Sequence, residues 1–210
     1  MSKDDALQKI DADLIWRKKE LTSIKALVEG ASQGHQSAMI RSALCLLYSH
    51  WEGFVKCAAS VYLRYVCELG KPPSELKNNF IAIKFLSHLR EAAKSNKPSM
   101  LGETIGFIAN KWNDRLRISH KSVIDTQSNL SSAVLKEISW IIGIDSASFE
   151  TKFHLIDSSL VSRRNHIAHG EFLDLNKSDY IDLHKDIVNL LEIFRTELQN
   201  SLELNSYLRQ

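Results

Sequence analysis

Cysteine is scarce in this chain of 210 residues: only Cys45, Cys57 and Cys67 occur, and no two of them form a CxxC pair. All three fall in one apolar segment, where a free thiol behaves as a small buried hydrophobe, and this usage fits a reducing cytoplasm. Long hydrophobic runs are missing too. Nowhere do about 18 apolar residues follow one another as a membrane span requires, and the first residues, MSKDDALQKIDADLIWRKKEL, are charged throughout, so a soluble chain with no export signal and no membrane contact is expected. Charge of one sign is not in excess either. Lys and Arg number 27 against 25 Asp and Glu, a net charge of +2, which excludes a basic coat for nucleic acid and leaves room only for a local basic patch. Period-two alternation, internal repeats and low-complexity tracts are likewise absent, so half-buried strands and solenoid arrays are not expected.

What is present is helical periodicity. At 44% hydrophobic, the chain can bury one substantial core, and a single domain over residues 1–210 is expected. Residues 4–29 place Leu7, Ile10, Leu14, Leu21, Ile24 and Val28 at spacings of three, four and seven, with Asp4 and Asp5 at the N-terminal end and Gly30 as a stop. Residues 36–69 repeat the pattern through Leu44, Leu47, Tyr48, Trp51, Val55 and Tyr62 until "GKPP" breaks it, which makes this helix the expected spine. Helices are also predicted over 75–95, 99–117, 130–142, 146–169 and 178–205, with a polar loop at 119–129. The expected class is all-α, a bundle of about six to seven helices. Trp16, Trp51, Trp112 and Trp140 fall at apolar helical positions or their edges and read as core.

One stretch is chemically dense: "RRNHIAHGE", residues 163–171, at the end of the penultimate long helix, with Gly170 placed as a left-handed cap. Cationic side chains are favoured at a helix C-terminus, so Arg163, Arg164, His166 and His169 have a purely stabilising reading. The RxxxxH spacing alone does not overturn it, because "RLRISH" carries a second copy from Arg115 to His120. Arg164 and His169 stand about 140° apart on an ideal helix at ~100° per residue, whereas Asn165 and His169 share a face. A long arginine can swing towards the imidazole at a frayed end. Alternatively, a two-fold axis beside the helix can bring the Arg and His of two copies together.

The run Arg164-Asn165-His166-Ile167-Ala168-His169-Gly170 resembles the signature of the HEPN superfamily, the "higher eukaryotes and prokaryotes nucleotide-binding" helical domains. "LLYSHWEGFVK" (46–56) and "SNLSSAVLKEI" (128–138) are similar to a prokaryotic branch of predicted HEPN nucleases, and the similarity extends over most of the chain. "RLRISH" lacks the Asn and the Ala-His-Gly ending and is left out of the site. The resemblance implies a HEPN-like bundle that dimerises through its motif helices and cleaves RNA without metal or other cofactor, as a toxin or defence effector, with an antitoxin or regulatory protein as a possible partner. The competing reading is a catalytically silent HEPN module that binds RNA, a nucleotide or a protein. Some HEPN toxins carry a modified Tyr two residues after the motif His; here that position is Glu171.

In the ribonuclease reading His169 transfers protons, Arg164 polarises the scissile phosphate, and Asn165 orients the imidazole or the RNA. The RNA's own 2′-hydroxyl is the nucleophile. Arg163 and His166 are candidate RNA contacts. Glu52 either steers Arg164 or His169 from the spine helix or pairs with Lys56 four residues on. His50 reads as structural. No HExxH or paired-Cys pattern supports a metal site.

Overall fold

The structure, a computed structural model, describes residues 1–95, 97–116 and 123–209. Part of the expected loop, residues 119–122, lies outside the described residues, and so does His120, the histidine of the second RxxxxH copy. Two long antiparallel helices open the chain. α1 (Lys3–Gly30) begins on a capping box in which the Ser2 side chain accepts from the Asp5 amide while the Asp5 carboxylate accepts from the Ser2 amide. α2 (Gln33–Glu68) follows and is the spine: both α1 and the last helix, α7 (Lys177–Glu203), pack along it. Between them come α3 (Asn78–Ala93), α4 (Pro98–Asn110) and α5 (Ser132–Ile142). Apart from one isolated bridge, Leu76 to Leu208, the described residues form no extended pairing, and the fold is all-α.

The apolar stripes read from the sequence meet in one contiguous core. Ile10, Leu14, Leu21 and Val28 of α1 pack with Leu44, Leu47, Trp51, Phe54 and Tyr62 of α2 and Leu190, Leu191, Phe194 and Leu198 of α7. Phe194 touches two other rings, Phe54 at 6.3 Å between centroids and Phe149 at 6.0 Å, and so ties α7 both to the spine and to the segment leading into the motif. Two buried polar pairs cross between helices: the Tyr62 hydroxyl lies 2.7 Å from that of Ser201, and His184 Nε2 lies 3.2 Å from the Leu21 carbonyl oxygen. Of the four tryptophans, Trp51 alone is fully buried; Trp16 and Trp140 are about half-exposed, the former propped on Asp13 and the His50 ring.

Two helices depart from their sequence pattern. The continuous α-helix predicted over 146–169 is three pieces: a 3-10 stretch (Ala147–Lys152), a stretch with π hydrogen bonding (Leu155–Ser162), and the short α6 (Arg163–Ala168). Apolar residues at 149, 153, 156 and 160 fit an α register and a looser one nearly equally well, so their spacing does not reveal the change. Within the π stretch Asp157 accepts from both the amide and the hydroxyl of Ser132, at 2.7 and 2.5 Å, and thereby caps α5. π turns gather at functional sites. α4, the other departure, buries none of its residues; Leu101 and Ile105 face outward.

His50 and His184 are buried, and burial holds both imidazoles below their ordinary range, partly offset for His50 by Glu20 at 3.0 Å and for His184 by the Leu21 carbonyl. The unfolded chain therefore binds protons below about pH 6.5 that the folded chain refuses. Stability from these two residues is complete above that pH and is lost as pH falls through the depressed folded values. Thermal melts should show Tm falling from pH 7 to pH 5, with a shallower slope in His184→Gln; an unaltered slope in that variant would remove His184 from the account.

Candidate active site

α6 lies against the N-terminal half of α2, and one stripe of α2 faces it: Arg41, Cys45, Tyr48 and Glu52, at successive spacings of four, three and four. Arg164 lies with its guanidinium carbon 3.8 Å above the centre of the Tyr48 ring. Its Nη2 donates to the Ser128 carbonyl at 2.8 Å and to Asn129 Oδ1 at 3.3 Å, while its Nε is buried without a partner. Tyr48 is anchored in turn, since its hydroxyl accepts from the Leu130 amide at 2.8 Å. Burial pushes the Tyr48 phenol up, with the Glu52 charge adding to the rise, so Tyr48 stays a neutral ring beneath the cation. Arg164 is thus held by ring, carbonyl and amide before any substrate arrives.

The loop that receives it is strained. Gln127 and Ser128 have φ of 54° and 52°, left-handed values at two successive non-glycine residues, and the Asn129 amide closes the turn onto the Thr126 carbonyl at 3.0 Å. Each such residue costs about 1 kcal/mol or more. Asp125 Oδ1 supports the turn by accepting from the Gln127 amide at 2.8 Å. Asn165 reaches the same loop, donating from Nδ2 to Asn129 Oδ1 at 3.2 Å. The turn thereby brings one amide oxygen to both of the motif's polar neighbours.

His169 stands at the end of α6, where the backbone closes in a Schellman motif: the Glu171 amide donates to the His166 carbonyl at 2.9 Å and the Gly170 amide to the Ile167 carbonyl at 3.0 Å, with Gly170 at φ 78°. The Asn165, His166 and Ile167 carbonyls are therefore satisfied by backbone, and the exposed His169 side chain has no hydrogen-bond partner among the described residues. Its imidazole is open to solvent on the face it shares with Asn165.

The other candidates separate. His166 Nδ1 donates to the Ser162 carbonyl at 2.7 Å, and its Nε2 lies 3.5 Å from Glu171 Oε2, so it is occupied locally and exposed. Arg163 lines a groove with Asp179, Asp182 and Asp186, carboxylates that compete with any phosphate, and Arg164 does not line it. Glu52 forms no ion pair with Lys56 among the described residues; its Oε1 is buried and unpaired, and its charge is felt at the Tyr48 phenol. His50 points instead to α1 and Glu20.

Four residues that contact the motif carry no site signal in the sequence. Tyr48 reads as core, and it is core, yet it is also the platform under Arg164. Asn129 and Ser128 sit in the polar loop, whose only signal was a Ser-Asn pair just before the helix cap Ser131. Arg41 donates to the Glu171 carbonyl at 3.0 Å and, with Arg164, pulls down the Cys45 thiol that burial pushes up more strongly. Leu46, 45% exposed, lines the groove between Arg41 and Ile167, and the Phe172 ring, 79% exposed, lies 6.0 Å from the Arg41 guanidinium carbon.

The described residues form an all-α bundle, the class of a HEPN domain, and Arg164 of the Arg-Asn pair stands on the Tyr48 ring near the helix-terminal histidine. The chain belongs to the RiboL-PSP-HEPN family, whose sequence model matches residues 12–200. No curated protein and no solved structure matches it significantly. No helix among the described residues is long and apolar enough to cross a membrane.

Proposed function

We propose that the chain is a metal-independent endoribonuclease acting as a homodimer, with Arg164 and His169 of two copies around one cleft. The observation that carries this reading is the state of the motif: the Arg164 guanidinium is partly desolvated and pre-oriented on Tyr48, while His169, one helical turn beyond Asn165, is left exposed and unpaired. Nη1 of Arg164 makes no hydrogen bond among the described residues and is available to a phosphate oxygen. One imidazole takes the proton of the RNA 2′-hydroxyl as that oxygen attacks the adjacent phosphorus; a protonated imidazole gives a proton to the departing 5′-oxygen. Arg164 holds the charge that grows on the non-bridging oxygens. The products are a 2′,3′-cyclic phosphate and a 5′-hydroxyl. Leu46 and Phe172, exposed beside the motif, support a second copy docking over it. A toxin or defence role, with an antitoxin or regulator as partner, follows from family analogy.

One observation favours a second reading, a silent RNA-binding HEPN module: both Nη2 hydrogens of Arg164 are already spent on Ser128 and Asn129. The deciding experiment incubates the purified chain with mixed RNA in EDTA. Cleavage to cyclic-phosphate ends, blocked by a single 2′-deoxy at the cut position and retained in His120→Ala, is the expected result. Binding without cleavage selects the silent module; cleavage of the deoxy substrate, or a strict need for magnesium or manganese, selects a metal-activated water.

A further inference from the structure

We propose that Asn129, outside the motif, is a positioning residue that fixes the polarity of Asn165 and turns its own amide nitrogen towards the bound phosphate. The geometry stands by itself; its consequence for RNA rests on the ribonuclease reading. The argument starts from the one group in the cluster whose polarity cannot be reversed. A guanidinium only donates. The Asn129 atom 3.3 Å from Arg164 Nη2 must therefore be its oxygen, Oδ1, and the Asn165 atom 3.2 Å from that same oxygen must be a donor, Nδ2. Each amide is thus oriented by the arginine, directly for Asn129 and through Asn129 for Asn165.

Two atoms are left over. Asn165 Oδ1 and Asn129 Nδ2 make no hydrogen bond among the described residues, and neither is among the buried polar atoms without a partner, so both are open to solvent. The first is an acceptor on the helix face shared with His169, suited to a ring N–H or a ribose hydroxyl. The second is a neutral donor beside the Arg164 guanidinium, suited to a phosphate oxygen. The left-handed pair Gln127 and Ser128 delivers Asn129 to this place, and the bond from the Asn129 amide to Thr126 keeps it there. Asn129 adds a phosphate contact without adding charge.

Two substitutions separate the relay from mere structural support. Asn129→Asp retains an acceptor for Arg164 and Asn165 but removes the outward donor and places a negative charge near the phosphate; Asn129→Ala removes acceptor and donor together. The readouts are the Asn165 side-chain amide protons by NMR, thermal melting, and affinity for an RNA oligonucleotide made uncleavable by 2′-deoxy substitution. In wild type and Asn129→Asp the Asn165 amide protons should be protected from exchange, and in Asn129→Ala they should exchange freely. Asn129→Asp should melt within a few degrees of wild type yet bind the oligonucleotide about tenfold or more weakly, as expected for loss of a hydrogen bond to a charged group. Unchanged Asn165 protons in Asn129→Ala would overturn the relay, and wild-type affinity in Asn129→Asp would overturn the phosphate contact. If the wild-type protein neither binds nor cuts RNA, the ribonuclease reading falls and the exchange measurement alone decides the relay.

Discussion

His169→Ala and Arg164→Ala should each lower RNA cleavage by ~10²-fold or more, the scale on which a positioned acid-base group or a stabiliser of transition-state charge acts. The two losses should differ in kind. Arg164 carries a permanent charge, so its removal weakens binding of uncleavable RNA as well as the rate; His169→Ala should leave binding nearly intact and reduce kcat. Arg164→Lys should not rescue. An ammonium can neither lie flat on the Tyr48 ring at 3.8 Å nor reproduce the fork that reaches Ser128 and Asn129 while leaving Nη1 for the substrate. His166→Ala, which removes an exposed ring bonded to the Ser162 carbonyl, serves as the control and should keep most activity. Equal losses in His166→Ala and His169→Ala would mean that the helix end matters for its fold or its charge rather than for proton transfer at one imidazole. Full activity in His169→Ala would end the mechanism proposed here.

Phe194→Ala should cost about 3–5 kcal/mol of folding free energy, the range for truncating a fully buried phenylalanine. Phe194 is 0% exposed and makes two ring contacts, with Phe54 of α2 and Phe149 of the 3-10 stretch, so the cavity left behind is walled by three different elements and cannot collapse by moving one of them. Against a typical total of about 5–15 kcal/mol, the urea midpoint should fall by a large fraction of its wild-type value. Trp16→Ala removes a bigger ring, but one that is 46% exposed, and should cost much less. A Phe194→Ala protein that unfolds within 1 kcal/mol of wild type would show that the ring cluster is loosely packed and is not the tie between α7 and the segment leading to the motif.

The helices were legible because each buries a stripe, and stripes are written in the spacing of apolar residues. α1 and α2 and α7 begin and end within about three residues of the expected bounds. What spacing does not encode is hydrogen-bond register, and so the π stretch at Leu155–Ser162 reads as ordinary α-helix in the sequence. α4 shows the opposite limit: its apolar residues signalled a helix correctly but not that the helix stays unburied. At the candidate site, Arg164, Asn165 and His169 stand out as a local pattern on one short segment. Tyr48 and Asn129 do not, because they meet Arg164 only through the fold, and each has an ordinary local reading, an aromatic on a spine helix and an amide in a polar loop. Glu52 has two sequence readings, and the ion pair with Lys56 does not form among the described residues; its Oε1 is buried without a partner, an environment that sequence spacing does not carry.

The bareness of α4 has a consequence for how the molecule breathes. A helix that buries no side chain and rests on α3 through the Phe107 ring, stacked on His88 at 4.0 Å, contributes little to the cooperative unit formed by α1, α2 and α7. Its opening free energy is set by that local stacking and by its own backbone ladder, well below the free energy of global unfolding. The chain therefore contains two grades of solidity: a spine that opens only when everything opens, and an outlying helix free to unfold and re-form many times while the Arg164 platform on α2 stays in place.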